Sequence, residues 1–300
     1  MPTKERKKMK IPRSRALKIK GIARDVIHEF GFDKLPIDPR EIADKLDIAI
    51  QEFPPSMDEI SGCLMKLEDS FAIGVSTAIK SLGFQNFTIA HELGHYYIDG
   101  HAEELLSENV HYSKSYDSKG NRFEREADLF ASELLMPWRL VQNMLIGENS
   151  MKTVKQIAHE CNTSLVASAI KLINHSKHQM AMLMLNDNIV DYMITSDEFR
   201  FIPNIDFIGK GEQVPEHWNF IRMNSDDVKS SKEATNDCLL SDIFVTSPKT
   251  SATIEMIGLG SYGRLLCLVS CDWSDDEKQE EDNTAYIDRW EKGCFRPKNS

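Results

Sequence analysis

His91-Glu92-Leu93-Gly94-His95 places two imidazoles and a carboxylate within five positions. On a helix, residues four apart share a face, so His91 and His95 point the same way, at a separation suited to sharing one metal ion. Glu92 sits beside the first histidine and can reach a water held by that ion. Zinc lowers the pKa of such a water to about 7. Glu92 can then take the water's proton as its oxygen attacks a peptide carbonyl, and pass that proton to the departing amine. The pattern points to a zinc peptidase with one ion per chain and Glu92 as general base. The bland alternative is two surface histidines on a helix. Gly94 weighs against it, because glycine in a helix interior costs about 1 kcal/mol relative to alanine and so implies a close neighbour.

A catalytic zinc usually takes three protein ligands, and two residues compete for the third place. His101 lies ten positions after His91, the offset of the long HExxHxxGxxH motif. That motif needs glycine where this chain has Ile98; the glycine here is Gly100. The second candidate is Glu124. At about 100° per residue, Phe123, Ala127, Phe130, Ala131, Leu134 and Leu135 form one apolar arc. Glu124 falls inside it, with Asp128 at its edge, whereas Glu126 and Glu133 fall on the opposite side, toward water. A carboxylate within an apolar arc is costly unless it is paired or binds a metal. Glu124 as ligand, with Asp128 accepting a histidine N–H behind the site, explains the placement. A buried ion pair between Glu124 and an arginine explains it too. The group that stabilises an oxyanion stays open among Tyr97, His101, His111, Tyr112 and Tyr116.

These side chains need elements to hold them. Residues 17–30 carry apolar groups at helical spacing, closed by Gly31. Asp38 and Pro39 open a second helix as N-cap and first helical residue. Strand-like runs follow at residues 48–53, 62–67 and 71–75, and a helix over residues 87–98 carries the motif. Residues 99–120 are polar and read as a long loop, of the kind that is often functional. Residues 122–136 form an amphipathic helix stopped by Pro137, followed by a helix over 138–146. Residues 153–161 and 164–174 form a short helix pair around Asn162-Thr163. Beyond it the pattern changes to hairpins: residues 179–185 with 189–195, and 253–259 with 264–271. The fold class is α+β. It comprises a basic disordered tail (1–16), a peptidase-type domain (17–150), a helix pair (151–175) and a β-rich region (176–300) in the place of a sensor or regulatory domain.

Composition narrows the function classes. A net charge of −11 over 300 residues argues against a general nucleic-acid binder. The exception is the first twenty residues, where nine basic and one acidic residue make a net +8; a solvated tail or a DNA-steering arm both fit. Residues 274–282 are strongly acidic and read as an exposed loop. No apolar run approaches the roughly 18 residues of a membrane span, and no apolar segment follows the basic start to make a signal peptide. The six scattered cysteines read as reduced thiols. The expected location is the cytoplasm, with no membrane partner.

The segment Phe87-Thr88-Ile89-Ala90-His91-Glu92-Leu93-Gly94-His95, followed by Glu124-Arg125-Glu126-Ala127-Asp128-Leu129-Phe130-Ala131 and Leu134-Leu135-Met136-Pro137, closely resembles the ImmA/IrrE metallopeptidases. Pro36-Ile37-Asp38-Pro39 and Ile42-Ala43 match upstream, and the likeness covers about residues 17–175. The resemblance implies a gluzincin-like domain, with helices packed on a short three-stranded sheet. It implies His91, His95 and Glu124 as zinc ligands and Glu92 as general base. It also implies a protein substrate, a helix-turn-helix repressor or antitoxin whose cleavage switches on a stress or mobile-element response. By the same resemblance the substrate lies along an edge strand, here Phe71, Ala72, Ile73, Gly74 and Val75. Some relatives carry a helix-turn-helix and a sensor-like domain in the positions of the helix pair and the β-rich region. The second helix of this pair has only Lys171 as a basic residue, so DNA reading by it is weakly supported, and packing onto the peptidase core is the competing assignment. Two other functions compete: a catalytically silent binding module that keeps the fold, and a DNA-binding regulator using residues 1–20.

Overall fold

A computed structural model of the chain describes residues 11–54, 60–78, 80–106, 109–114, 121–146, 149–214, 225–244, 246–260 and 263–274. Most of the basic start, Tyr116, the acidic run after residue 274 and Cys294 lie outside the described residues. The fold is α+β and divides into two compact units, residues 1–148 with 152–171, and residues 149–151 with 172–300.

The first unit opens with α1 (Arg13–Glu29), which buries Ile19, Ala23, Val26 and Ile27 along one face. Residues 13–16, expected in a disordered tail, are its first turn. In α2 (Pro39–Lys45), the Asp38 side chain accepts from the Arg40 backbone N–H at 2.9 Å, and Pro39 takes the first helical position, where no N–H is needed. Next come β1 (Ala49–Phe53), β2 (Ile60–Leu67), β3 (Ser70–Ser76), α3 (Leu82–Tyr97), α4 (His101–Leu105), β4 (Val110–Lys114), α5 (Arg122–Leu135), α6 (Trp138–Leu145), α7 (Met151–Cys161) and α8 (Leu165–His175). The strands make one sheet in the order β1-β3-β2-β4, with β1 parallel to β3 and β2 antiparallel to both of its neighbours.

This sheet corrects three expectations. Among the described residues it has four strands, not three. The span read as a 99–120 loop contains α4 and β4. The expected edge strand of Phe71, Ala72, Ile73, Gly74 and Val75 is β3, which pairs with β1 on one side and β2 on the other. Its backbone groups are committed on both sides, so it cannot receive an added strand; the edges are β1 and β4. The strand β4 escapes hydrophobic patterning because two of its residues, His111 and Ser113, are polar and serve the site described below.

Helix α5 is the centre of the unit and packs against both α3 and α1. Glu126 and Glu133, expected in water, are therefore buried. A wheel argument assumes one covered face, and α5 is covered on two. Each carboxylate has its cation: Arg15 and Arg122 for Glu126, and Lys171 for Glu133 at 3.3 Å. The second contact also ties the helix pair to this unit, as does the Asn86 amide donating to the Asn162 carbonyl at 3.2 Å. Residues 152–171 thus group with the first unit and do not form a separate module.

The second unit is an antiparallel sheet of β5 (Gln179–Asn186), β6 (Ile189–Thr195), β7 (Glu233–Leu239), β8 (Ser251–Gly258) and β9 (Arg264–Cys271), ordered β6-β5-β9-β8-β7. Short helices α9 (Asp197–Arg200), α10 (Ser225–Lys229) and α11 (Leu240–Ile243) lie between the strands in sequence. Leu183, Leu185, Phe199, Phe244, Ile254, Met256 and Val269 belong to its core. Both expected hairpin pairings are present. The strand β7 is an unexpected edge, polar and only half-buried at alternate positions. The five described cysteines are free thiols, and no helix among the described residues is long and apolar enough to cross a membrane.

Lys171 and Glu133 are both nearly inaccessible to solvent. Removing one partner of such a pair strands a buried charge. Lys171→Met is expected to lower stability by about 3–5 kcal/mol, and adding Glu133→Leu to recover most of the loss; urea unfolding midpoints of the two variants check this.

Candidate metal centre

The motif helix α3 carries His91 and His95 one turn apart, with their Nε2 atoms 3.0 Å from each other. From α5, the Glu124 carboxylate reaches both: one oxygen is 3.3 Å from His91 Nε2 and the other 3.4 Å from His95 Nε2. One ligand atom from each of the three residues falls within a 4.8 Å cluster, and all three residues are buried.

Close helix packing makes this possible. A Cβ added at Gly94 would stand 3.1 Å from Ala127 Cα, 3.3 Å from the Ala127 carbonyl oxygen and 3.2 Å from Phe130 Cδ1. The glycine lets the α5 backbone pass directly against α3, one turn beyond Glu124.

The outer nitrogens of the two histidines are also held. His91 Nδ1 lies 2.9 Å from Asp128 Oδ1, so the side chain at the edge of the apolar arc sits behind the first histidine. His95 Nδ1 lies 3.0 Å from His101 Nδ1. Gly100, in the left-handed region at φ 86°, reverses the chain after α3 and starts α4 with His101. The turn that the long motif obtains from an earlier glycine is therefore present, but it delivers His101 to the far side of His95 and not into the cluster.

The charges follow from these contacts. Burial pushes His95 down to about 3, with Glu124 only partly opposing it, so its imidazole is neutral and has a lone pair to offer. Burial disfavours a charge on His91 as well, but Asp128 and Glu124 outweigh it and raise its pKa. Burial alone would raise Glu124; hydrogen bonds from His111, His91 and His95 hold it far below the usual carboxylate range.

Glu92 is fully buried beside the cluster, and among the described residues neither carboxylate oxygen has a hydrogen-bond partner. Desolvation raises its pKa to about 7, against the lowering effect of His91. Its Oε1 is 3.0 Å from where a Cβ on Gly62 would sit, so that glycine leaves the space the carboxyl occupies. Ser113 pairs in register with Gly62 across the β2–β4 ladder. Its hydroxyl is buried near Glu92 and lowers the Glu92 pKa, without a hydrogen bond of good geometry between them. A buried carboxylate with both oxygens unpaired is costly unless a partner is supplied. A metal-held water is such a partner, and the neighbouring nitrogen and oxygen donors can hold the ion. The residues fit a metal.

Of the five oxyanion candidates, His111 alone among the described residues faces the cluster, with Nε2 2.8 Å from Glu124 Oε1. Tyr97 stacks on Phe130, Tyr112 is half exposed and His101 lies behind His95; Tyr116 is outside the described residues. Sequence reasoning missed Ser113 and Gly62 at the site. Ser113 was findable by its two-residue spacing from His111 once β4 is known, whereas Gly62 carries no local signal.

Gly94→Ala forces a methyl against a helix backbone that cannot yield locally. It is expected to destabilise the protein by about 1–3 kcal/mol and to weaken metal binding, because α5 carries Glu124. Denaturant titration and metal competition with a chelator measure the two effects.

Residues 44–172 match the Peptidase_M78 family model, the IrrE N-terminal-like domain. A solved structure of a Mycobacterium tuberculosis transcriptional regulator has a similar fold, with a TM-score of 0.53 over 85% of this chain and 76% of that one, at 13% sequence identity. Among curated proteins, none matches by sequence.

Proposed function

From the match of residues 44–172 to the IrrE N-terminal-like peptidase domain, we propose that this protein is a gluzincin-type zinc endopeptidase that cleaves a helix-turn-helix repressor or antitoxin in the cytoplasm. The observation that carries the reading is the convergence of His91, His95 and Glu124 beside a buried Glu92 whose carboxylate has no hydrogen-bond partner among the described residues. His91 Nε2, His95 Nε2 and a Glu124 oxygen would hold the ion. When bound, zinc acidifies a coordinated water and polarises a carbonyl.

The chain's own groups supply the rest. Glu92 holds and moves the proton. A carboxyl whose pKa lies near 7 can take a proton from the nucleophile and return it to the leaving amine at neutral pH. Asp128 keeps His91 oriented through Nδ1, leaving Nε2 for the ion. His111 projects from β4 at the cluster and is suited to polarising the scissile carbonyl.

The same strand suggests how a substrate is held. Among the described residues β4 is an edge of the sheet and carries His111 and Ser113 to the site, so an extended segment adding to its outer side would run past the cluster. That role moves here from Phe71–Val75, which lie in the sheet interior. The substrate class rests on the family resemblance. The description of the Mycobacterium tuberculosis protein as a transcriptional regulator is compatible with it.

The test is incubation of the purified protein with the repressor encoded beside its gene, scored by fragment mass. Glu92→Gln is expected to retain zinc and lose roughly 10²- to 10⁴-fold in cleavage rate. A zinc-free wild-type protein, or a variant that cleaves at full rate, sinks the proposal. Gly62→Ala is a second check. Its methyl would meet Thr88 Cγ2 at 2.4 Å and press on Glu92, so kcat is expected to fall while the zinc stoichiometry, measured by elemental analysis, stays at one.

A further inference from the structure

The polar chain behind His95 goes beyond what a metal site with one supporting carboxylate requires. His101 and Glu126 are each completely buried. His95 Nδ1 and His101 Nδ1 are 3.0 Å apart, His101 Nε2 is 3.2 Å from Glu126 Oε2, and Arg15 closes the chain on that same oxygen through Nε at 2.9 Å and Nη2 at 2.5 Å. Arg122 donates to the other Glu126 oxygen at 2.6 Å.

With His95 Nε2 kept free for the ion, only one arrangement of protons satisfies the contacts behind the ring with neutral imidazoles. If His95 offers Nε2 to the ion, its Nδ1 carries hydrogen and must donate. His101 Nδ1 then accepts, and His101 Nε2–H donates to Glu126. Two arginines keep Glu126 an acceptor. We propose that His101, Glu126 and Arg15 are positioning residues that fix the tautomer and ring orientation of His95, so that α1 is coupled to the metal centre. This rests on the metal reading above. Arg15 lies outside residues 44–172 that match the peptidase family, so the coupling is a property of this chain's own N-terminal helix. The competing explanation is a buried polar cluster that only holds α1 to α5.

The two explanations differ in what Arg15 and His101 do to zinc affinity. Zinc dissociation constants are measured by competition with a chromophoric chelator, alongside melting of the metal-free proteins. His101→Leu is expected to bind zinc 10- to 100-fold more weakly. His101→Gln, whose amide oxygen can accept from His95 and whose amide nitrogen can donate to Glu126, is expected to recover most of that loss. Arg15→Met, which touches neither histidine, is expected to weaken binding about threefold or more, as loss of an outer partner does. In the zinc-loaded wild-type protein, nitrogen NMR of the imidazoles is expected to show His95 protonated at Nδ1.

Wild-type zinc affinity in both folded His101→Leu and Arg15→Met overturns the proposal, as does a His95 ring without hydrogen at Nδ1. Should His101→Leu fail to fold, the Arg15→Met affinity and the wild-type tautomer decide by the same criteria. A wild-type protein that binds no zinc defeats the metal reading itself; zinc bound equally well by wild-type and variants defeats only this one.

Discussion

The close crossing of α3 and α5 is the constraint on which the centre depends. Two histidines one turn apart can hold an ion loosely, but a third protein ligand must come from elsewhere in the chain. Glu124, in the first turn of α5, stands beside the two histidines, and the backbones must nearly touch for it to reach them. Gly94 and Ala127 provide that contact with the smallest side chains available. Phe130 fills the space beside them, and Tyr97 stacks on its ring. The packing of α3 on α5 is thus what brings His91, His95 and Glu124 together.

Burying α5 on two sides brings a difficulty with it. The helix carries Glu124, Glu126 and Glu133 into regions without water, and ionised carboxylates are not left unpaired there. Each is answered differently. Glu124 collects three imidazoles, Glu126 two guanidinium groups and His101, and Glu133 the Lys171 ammonium. The cations come from α1, α5 and α8, so the charges of the central helix also specify which helices surround it. Part of the positive N-terminal segment is used this way: Arg15 serves Glu126 and Lys18 meets Asp99. Those two charges are engaged within the first unit, which weakens the case for a DNA-steering arm built from the whole segment.

The sheet supplies the other wall. Gly62 on β2 leaves room for the Glu92 carboxyl, and Ser113 opposite it on β4 brings a hydroxyl to the same place. His111, two residues earlier, reaches Glu124 from the same strand. Among the described residues, the strand that carries these two side chains is also an edge of the sheet.

Much of this centre was legible in the sequence. Four-residue helical spacing fixes the relation of His91 to His95 without any tertiary information, and an acid inside an apolar arc marks Glu124 as a residue needing a partner. Helix and strand periodicity likewise located β1, β2, β3 and the hairpins of the second unit. Other features depended on what covers each element. Glu126 and Glu133 look solvent-facing on an isolated helix, and only the packing of α1 and α8 against α5 buries them. β4 looks like a polar loop because its polar residues face a polar site and not an apolar core. Whether β3 is an edge or an interior strand depends on a pairing with β1, some twenty residues earlier in the chain. Gly100 marks a turn, but the direction in which that turn sends His101 is set by packing around His95. The sequence by itself determined the local grouping of two imidazoles and a carboxylate, since residue type and four-residue helical spacing suffice for it. The tertiary structure alone decided which groups stand behind them and which strand forms the sheet edge beside them, because those depend on contacts between segments far apart along the chain.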